Sequence, residues 1–196
     1  MKKYLPLLVL MLLANSCGYT NFGLRNYKLQ NGYSRAATNP KVYANRVNFN
    51  TSLLAHIDTL VIYEEYVKEA YFGLEPTQVN AVARKNYQDL NPLYGVYRFY
   101  GNGYFNYFIL NRENDTLTKQ MFDPKYGGWR GVYYAEDNIF KGDLITQISG
   151  DGAIGIVEQV FEFSGDTMFV HSKKRRDNIY LKRKIPIQLL NFKADW

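Results

Sequence analysis

The chain carries one cysteine, Cys17, and two histidines, His56 and His171. A lone thiol rules out an intramolecular disulfide and a cysteine-based zinc site, and in an oxidising compartment it would be open to oxidation unless it were modified. The histidines stand far apart in sequence without metal-ligand spacing, so each is expected to be a surface or strand residue. Glu64 and Glu65 are adjacent carboxylates, but neighbouring strand residues point to opposite faces and cannot share one acid–base site. The pattern predicts one of them inward or protecting an edge and the other solvated. Asp151 and Asp166 sit in glycine turns, where aspartate caps its own backbone, and no Ca²⁺ loop with ligands at alternating positions surrounds them. Tyr126-Gly127-Gly128-Trp129 lacks the Gly-Lys-Ser/Thr ending and following helix of a phosphate loop and reads as a flexible connection. No catalytic residue, metal ligand or cofactor is expected, and the chain is not read as an enzyme.

The chemistry that remains is binding chemistry. Lys173, Lys174, Arg175 and Arg176 form the strongest charge feature, one that attracts lipid phosphates, anionic glycans or nucleic acid. Their place between the last two expected strands equally suits a solvated hairpin tip. Tyr97, Phe99, Trp129 and Tyr133 either line an apolar cavity, gripping a ligand through rings and polar tips, or fill a core.

These side chains need a scaffold, and composition indicates which. With 196 residues, 46% of them hydrophobic, the chain can bury the core of one ordinary domain. Eighteen tyrosines and 12 phenylalanines favour pleated, half-buried surfaces. Lys and Arg number 24 against 18 Asp and Glu, and removal of a leader containing Lys2 and Lys3 would lower the net charge from +6 to +4. Such a balance gives no reason to expect nucleic acid as a partner.

The leader is legible as an export signal: Met1-Lys2-Lys3 is positive, Leu5 to Ala14 is apolar, and small or polar residues precede Cys17. The apolar run is far shorter than the roughly 20 residues of a spanning helix. Ordinary signal cleavage after Ser16 would leave Cys17 as a free thiol. Leu13-Ala14-Asn15-Ser16-Cys17 resembles the lipobox of bacterial lipoproteins. That resemblance implies a signal peptide over 1–16, cleavage before Cys17 and lipid, palmitate included, on its thiol and new amino group. Acyl chains supply about 0.8 kcal/mol per buried CH₂, so several together anchor a protein stably. Gly18 after the cysteine resembles lipoproteins sorted to the outer membrane, which implies an anchored protein facing the periplasm.

Residues 17–51 are rich in Asn, Gly, Tyr, Ser and Thr without a clean period and are expected to form a lipidated tether or irregular segment. The domain is expected over 52–196, with a strand at Leu60 to Tyr66 and a short helix near 76–87 behind Pro76. From Tyr94 onward, short aromatic and β-branched runs alternate with turn signals. They predict strands at Tyr94 to Tyr100, Tyr104 to Asn111, Leu117 to Phe122, Trp129 to Ala135, Ile139 to Ile148, Ala153 to Phe163, Thr167 to Ser172 and Ile179 to Lys184. Gly101-Asn102-Gly103 marks the first of these turns as a tight hairpin.

Eight sequential strands with short connections predict an all-β, antiparallel up-and-down meander that closes into a barrel and so removes its exposed edges. A barrel of that size is filled by side chains or holds one small ligand, and the sequence leaves both open. Tyr97-Arg98-Phe99-Tyr100-Gly101-Asn102-Gly103, Phe163-Ser164-Gly165-Asp166-Thr167-Met168 and Tyr180-Leu181-Lys182-Arg183 resemble the lipocalin-like domains of small bacterial lipoproteins. Lipocalins open with Gly-x-Trp and stack a late arginine on the tryptophan. Here Gly95-Val96-Tyr97 offers tyrosine, with Arg183 as the candidate partner. The resemblance implies carriage of a lipophile. The expected function is that of a non-enzymatic, lipid-anchored envelope protein that binds a small apolar ligand or another envelope component. Its rival is an interaction or structural lipoprotein with a filled barrel, and an enzyme acting on envelope glycan or lipid is a remote third.

Overall fold

A computed structural model of the chain describes residues 23–67, 92–114, 116–172 and 175–196. Two short strands, β1 (Asn26–Lys28) and β2 (Arg35–Ala37), pair with each other. Eight more form the body: β3 (Ile62–Val67), β4 (Leu93–Phe99), β5 (Tyr104–Asn111), β6 (Trp129–Glu136), β7 (Ile139–Gln147), β8 (Ile154–Ser164), β9 (Thr167–Ser172) and β10 (Arg175–Arg183). Each pairs antiparallel with its sequence neighbour, and β10 pairs with β3 to close the barrel. Closure gives every barrel strand two partners and leaves the barrel sheet without a free edge strand.

The turns follow the local chemistry. Between β4 and β5, Gly103 takes φ +86°, the left-handed region that glycine enters without steric cost. Asp137 and Asn138 both have positive φ, 52° and 62°, and join β6 to β7 in a two-residue hairpin whose twist suits the strands.

The expected all-β meander of eight closing strands is therefore present, with one change of membership. Leu117 to Phe122 is not a strand. Lys119–Phe122 forms a 3-10 turn, with Asp123 N donating to Gln120 O at 3.1 Å, and the fully buried Phe122 packs edge-on against Phe108. The eighth barrel strand is instead β3, which overlaps the earlier run Leu60 to Tyr66 and ends one residue beyond it. The segment before β3 is irregular, as expected, with short pieces of local structure. Beyond the β1–β2 ladder it contains 3-10 turns at Pro40–Asn48 and Thr51–Ala55, capped by Asn39 and Asn50, whose side chains accept from Lys41 N and Ser52 N. The helix expected near 76–87 lies outside the described residues.

The turn at Lys119–Phe122 has a physical cause: the barrel wall is buried on its outer face as well. Ile62, Tyr94, Val96, Phe108 and Leu110 are covered by Phe122 and Leu190 with Leu117, Ile185 and Phe192 around them. On the other side the segment before β3 lies along the wall. Leu24 pairs with Ile154, Asn31 N donates to Tyr126 O at 2.8 Å, and Asn45 Nδ2 donates to Asp143 Oδ2 at 2.7 Å. A wall buried on two faces loses the apolar-polar alternation of a half-exposed sheet. β4 accordingly is buried at every position after Leu93.

Three inner-wall glycines create the space that large rings occupy. A Cβ at Gly95 would lie 2.3 Å from Tyr107 Oη, one at Gly131 would lie 2.3 Å from Phe105 Cζ, and one at Gly142 would lie 2.5 Å from Phe161 Cε2. Each ring comes from an adjacent strand and lies over the missing side chain.

Candidate functional site

Strand alternation sets which residues face the barrel axis. Tyr63 and Glu65 share one face of β3. Gly95, Tyr97 and Phe99 share one of β4, and Gln159 and Phe161 one of β8. At the hairpin end the axis is filled with rings. Phe99 lies 5.7 Å from Phe105, 5.3 Å from Tyr133 and 5.4 Å from Phe161, and Phe140 stacks on Tyr133 at 5.6 Å. Phe49, from the segment before β3, packs edge-on against Tyr133 at 5.3 Å and lies across Gly103. Tyr133 Oη donates to Tyr100 O at 2.6 Å, and burial raises that phenol well above its ordinary pKa. Tyr63 Oη accepts from Asp58 N at 3.0 Å, and burial pushes it up to about 12.

The four rings singled out from sequence are all buried, and Tyr97, Phe99 and Tyr133 belong to one contiguous ring cluster. Trp129 shares the inward face of β6 with Tyr133 and belongs to the same core, with the Tyr33 ring edge-on at 6.4 Å.

Toward the opposite end the interior changes character. Tyr97 sits between Tyr107 and Tyr180, each ring 4.8 Å away, and its hydroxyl accepts from Gln159 Nε2 at 2.7 Å. The Tyr180 and Tyr107 hydroxyls are hydrogen-bonded, and burial, followed by the neighbouring Tyr97, Tyr107 and Glu65, drives the Tyr180 phenol far above its ordinary pKa. Glu65 is cross-strand to Tyr180 and only 3% exposed. Its Oε2 accepts from Gly95 N at 2.7 Å, just where the β3–β4 ladder ends after Glu64 and Val96. Glu65 Oε1 and Gln159 Oε1 are buried without a hydrogen-bond partner among the described residues. Beyond this polar band, Leu93 and Ile109 continue the inward register and are 50% and 39% exposed.

Glu64 faces outward, as alternation requires, but is held rather than solvated. Arg112 Nη1 reaches its Oε1 at 2.6 Å and Arg183 Nη1 its Oε2 at 2.5 Å. Arg112 also stacks on the Tyr94 ring at 4.1 Å and donates from Nη2 to Glu65 O at 3.0 Å. Arg183, the residue expected to stack on Tyr97, is thus engaged on the outer face.

An open cleft of about 500 Å³ lies outside the barrel among Tyr27, Lys28, Lys125, Arg130, Asp195 and Trp196. Arg130 stacks on Trp196 at 5.1 Å and donates to Tyr27 Oη at 3.3 Å and to Pro124 O at 3.0 Å. Sequence reading missed this cleft because its walls come from the two ends and the middle of the described chain.

Of the basic run, Lys173 and Lys174 lie outside the described residues, while Arg175 and Arg176 open β10. Cys17 also lies outside them. His171 on β9 is 3.7 Å from Glu162, and His56 ends the Thr51–Ala55 turn. Among the described residues no group of three or more His, Cys, Asp or Glu side chains is placed to hold a metal. Glu65, Tyr107, Gln159 and Tyr180 were missed as a set. Alternation alone could have turned Glu65 inward, but no local signal joins Gln159 to a tyrosine 62 residues away. No protein-family model, curated protein or solved structure matches the chain, so its reading rests on its own residues and geometry.

Proposed function

We propose that this is a lipid-anchored, non-enzymatic envelope protein whose lipocalin-like barrel binds a small, largely apolar molecule at the end opposite its ring-filled hairpins. The observation that carries the reading is the sequence of layers along the barrel axis. A packed aromatic floor is followed by a buried polar band with unpartnered acceptors and then by exposed apolar residues of inward register. Ligand sites combine apolar walls with a few placed polar groups in this manner. In this reading Tyr97 contributes its ring and hydroxyl to the floor, while Phe99 and Tyr133 support it from below. Lipid on Cys17 would hold the body at the outer membrane, facing the periplasm, and Lys173, Lys174, Arg175 and Arg176 would add attraction to anionic headgroups.

The test has two parts. Cys17→Ser should abolish acylation and release the chain from membranes, whereas unchanged retention would defeat the anchor. An apolar fluorophore should bind the wild-type chain and be weakened by arginine at Leu93 or Ile109, whereas undiminished binding would move the site away from this end.

A second reading is supported by the outer cleft. Its aromatic wall and its cations Lys28, Lys125 and Arg130 suit an interaction lipoprotein with a filled barrel, working through its surface and the segment before β3. Loss of partner capture on Trp196→Ala, with fluorophore binding intact, would favour it.

A further inference from the structure

We propose that the barrel's polar band is a receptor for a hydrogen-bond-donating, positively charged head group, so that the ligand is an amphiphile bearing a primary ammonium. This rests on the preceding reading that an apolar molecule enters this end of the barrel, and it specifies which one.

Among the described residues the polar band holds two buried acceptors that have no donor. The Glu65 side chain is 97% removed from solvent by its 3% exposure, and Gly95 N fixes the carboxylate through Oε2 at 2.7 Å. Among the described residues the second oxygen, Oε1, meets no donor. Gln159, 7% exposed, directs its amide nitrogen to Tyr97 Oη, and its oxygen likewise meets none among them. A buried acceptor without a donor is unfavourable, and both of these belong to residues that face the barrel axis.

Charge points the same way. The guanidinium groups of Arg112 and Arg183 both bond to the outward Glu64, and Arg112 donates to the backbone carbonyl of Glu65. No ion pair to the Glu65 side chain is present among the described residues. Around the same point the rings of Tyr107 and Tyr180 each lie 4.8 Å from that of Tyr97, and such rings carry quadrupoles that attract a cation. An ammonium has three donors and no acceptor, so it can bond to Glu65 Oε1 and Gln159 Oε1 while resting on these rings. A carboxylate head would meet like charge at Glu65, and an ether or ester head would bring further acceptors. The exposed inward residues Leu93 and Ile109 lie on the side from which an alkyl tail would extend.

The experiment is calorimetry on the full acylated chain in neutral nanodiscs, with empty discs as background, titrating hexylamine, hexanol and hexanoate in turn. The expected result is hexylamine binding at least about tenfold tighter than either comparison compound, with that preference removed by Glu65→Gln. Equal binding of all three would overturn the ammonium assignment and leave the apolar-ligand reading standing. No binding of any would overturn both, water alone then satisfying the two acceptors. The preference among probes is read on the wild-type chain, so the result stands even if Glu65→Gln misfolds. Gln159→Leu offers a second variant, expected to weaken hexylamine more than hexanol.

Discussion

Replacing Gly131 by alanine tests whether the barrel interior is as tightly filled as its ring geometry implies. The added Cβ would fall 2.3 Å from Phe105 Cζ, 2.5 Å from Phe105 Cε1 and 2.8 Å from the carbonyl oxygen of Asp143. Comfortable carbon–carbon contact is about 3.5–4.0 Å, so the ring would have to retreat by about 1 Å or more. Phe105 is fully buried, with Tyr97, Phe99 and Phe161 each 5.7 Å from its centroid, and has nowhere to go. The contact with the Asp143 carbonyl cannot be relieved by the ring at all and must shift β6 against β7. Overpacking of this kind costs about 1–3 kcal/mol. Alanine recovers about 0.5–1 kcal/mol of the conformational penalty of a strand glycine. The net loss should be about 1–2 kcal/mol. At a urea slope of about 1–3 kcal/mol per molar, the midpoint should fall by roughly 0.5–1 M. Urea unfolding followed by circular dichroism measures it. Phe105→Leu supplies the control, since removing the ring edge should make the double variant less destabilised than the two single losses added together. An unchanged or raised midpoint for Gly131→Ala, or strict additivity, would refute the packing argument.

Three further outcomes are expected. Glu64→Ala leaves Arg112 and Arg183 without their shared carboxylate at 16% side-chain exposure, and should lower stability by about 1–3 kcal/mol, measured by urea unfolding. A double-mutant cycle with Arg183→Ala should show coupling, and additive losses would mean the pair contributes nothing. Asp143 has its carboxyl pushed above the ordinary range by burial, against opposing hydrogen bonds from Asn45 and Tyr134. The folded state therefore holds that proton more tightly than the unfolded chain. The benefit is fully present below the ordinary pKa of about 3.9 and is lost as pH rises through the folded value. Asp143→Asn should thus gain on the wild type as pH climbs through that window, and a stability difference flat with pH would show the shift to be absent. Tyr133→Phe removes the bond to Tyr100 O and should cost about 0.5–1.5 kcal/mol in thermal unfolding, with no loss marking that bond as dispensable.

What could be seen in the sequence was what local chemistry controls. Gly101-Asn102-Gly103 and Glu136-Asp137-Asn138 announce their turns because only certain residues take positive φ readily, and the strands they join were found within a residue or two. Leu117 to Phe122 deceived because a 3-10 turn buried against an outer barrel face shows the same apolar content as a strand. β3 was recognised as a strand but not as a barrel stave, since its pairing with β10 closes a loop of more than a hundred residues that no local signal reports. The same distinction divides the site. Tyr97, Phe99, Trp129 and Tyr133 could be picked out as core or lining rings, yet the polar band depends on the registers of β3, β4, β5, β8 and β10 together. Glycines 95, 131 and 142 had no visible role until the rings that cover them were in place.

The most direct test of a lipid-anchored, ligand-holding barrel is native mass spectrometry of the full chain purified from its own envelope in mild detergent, before and after solvent extraction. The expected spectrum shows an acylated protein starting at Cys17 with one additional, extractable mass per chain. A chain of bare polypeptide mass before and after extraction, with neither acyl groups nor a bound molecule, would contradict the account.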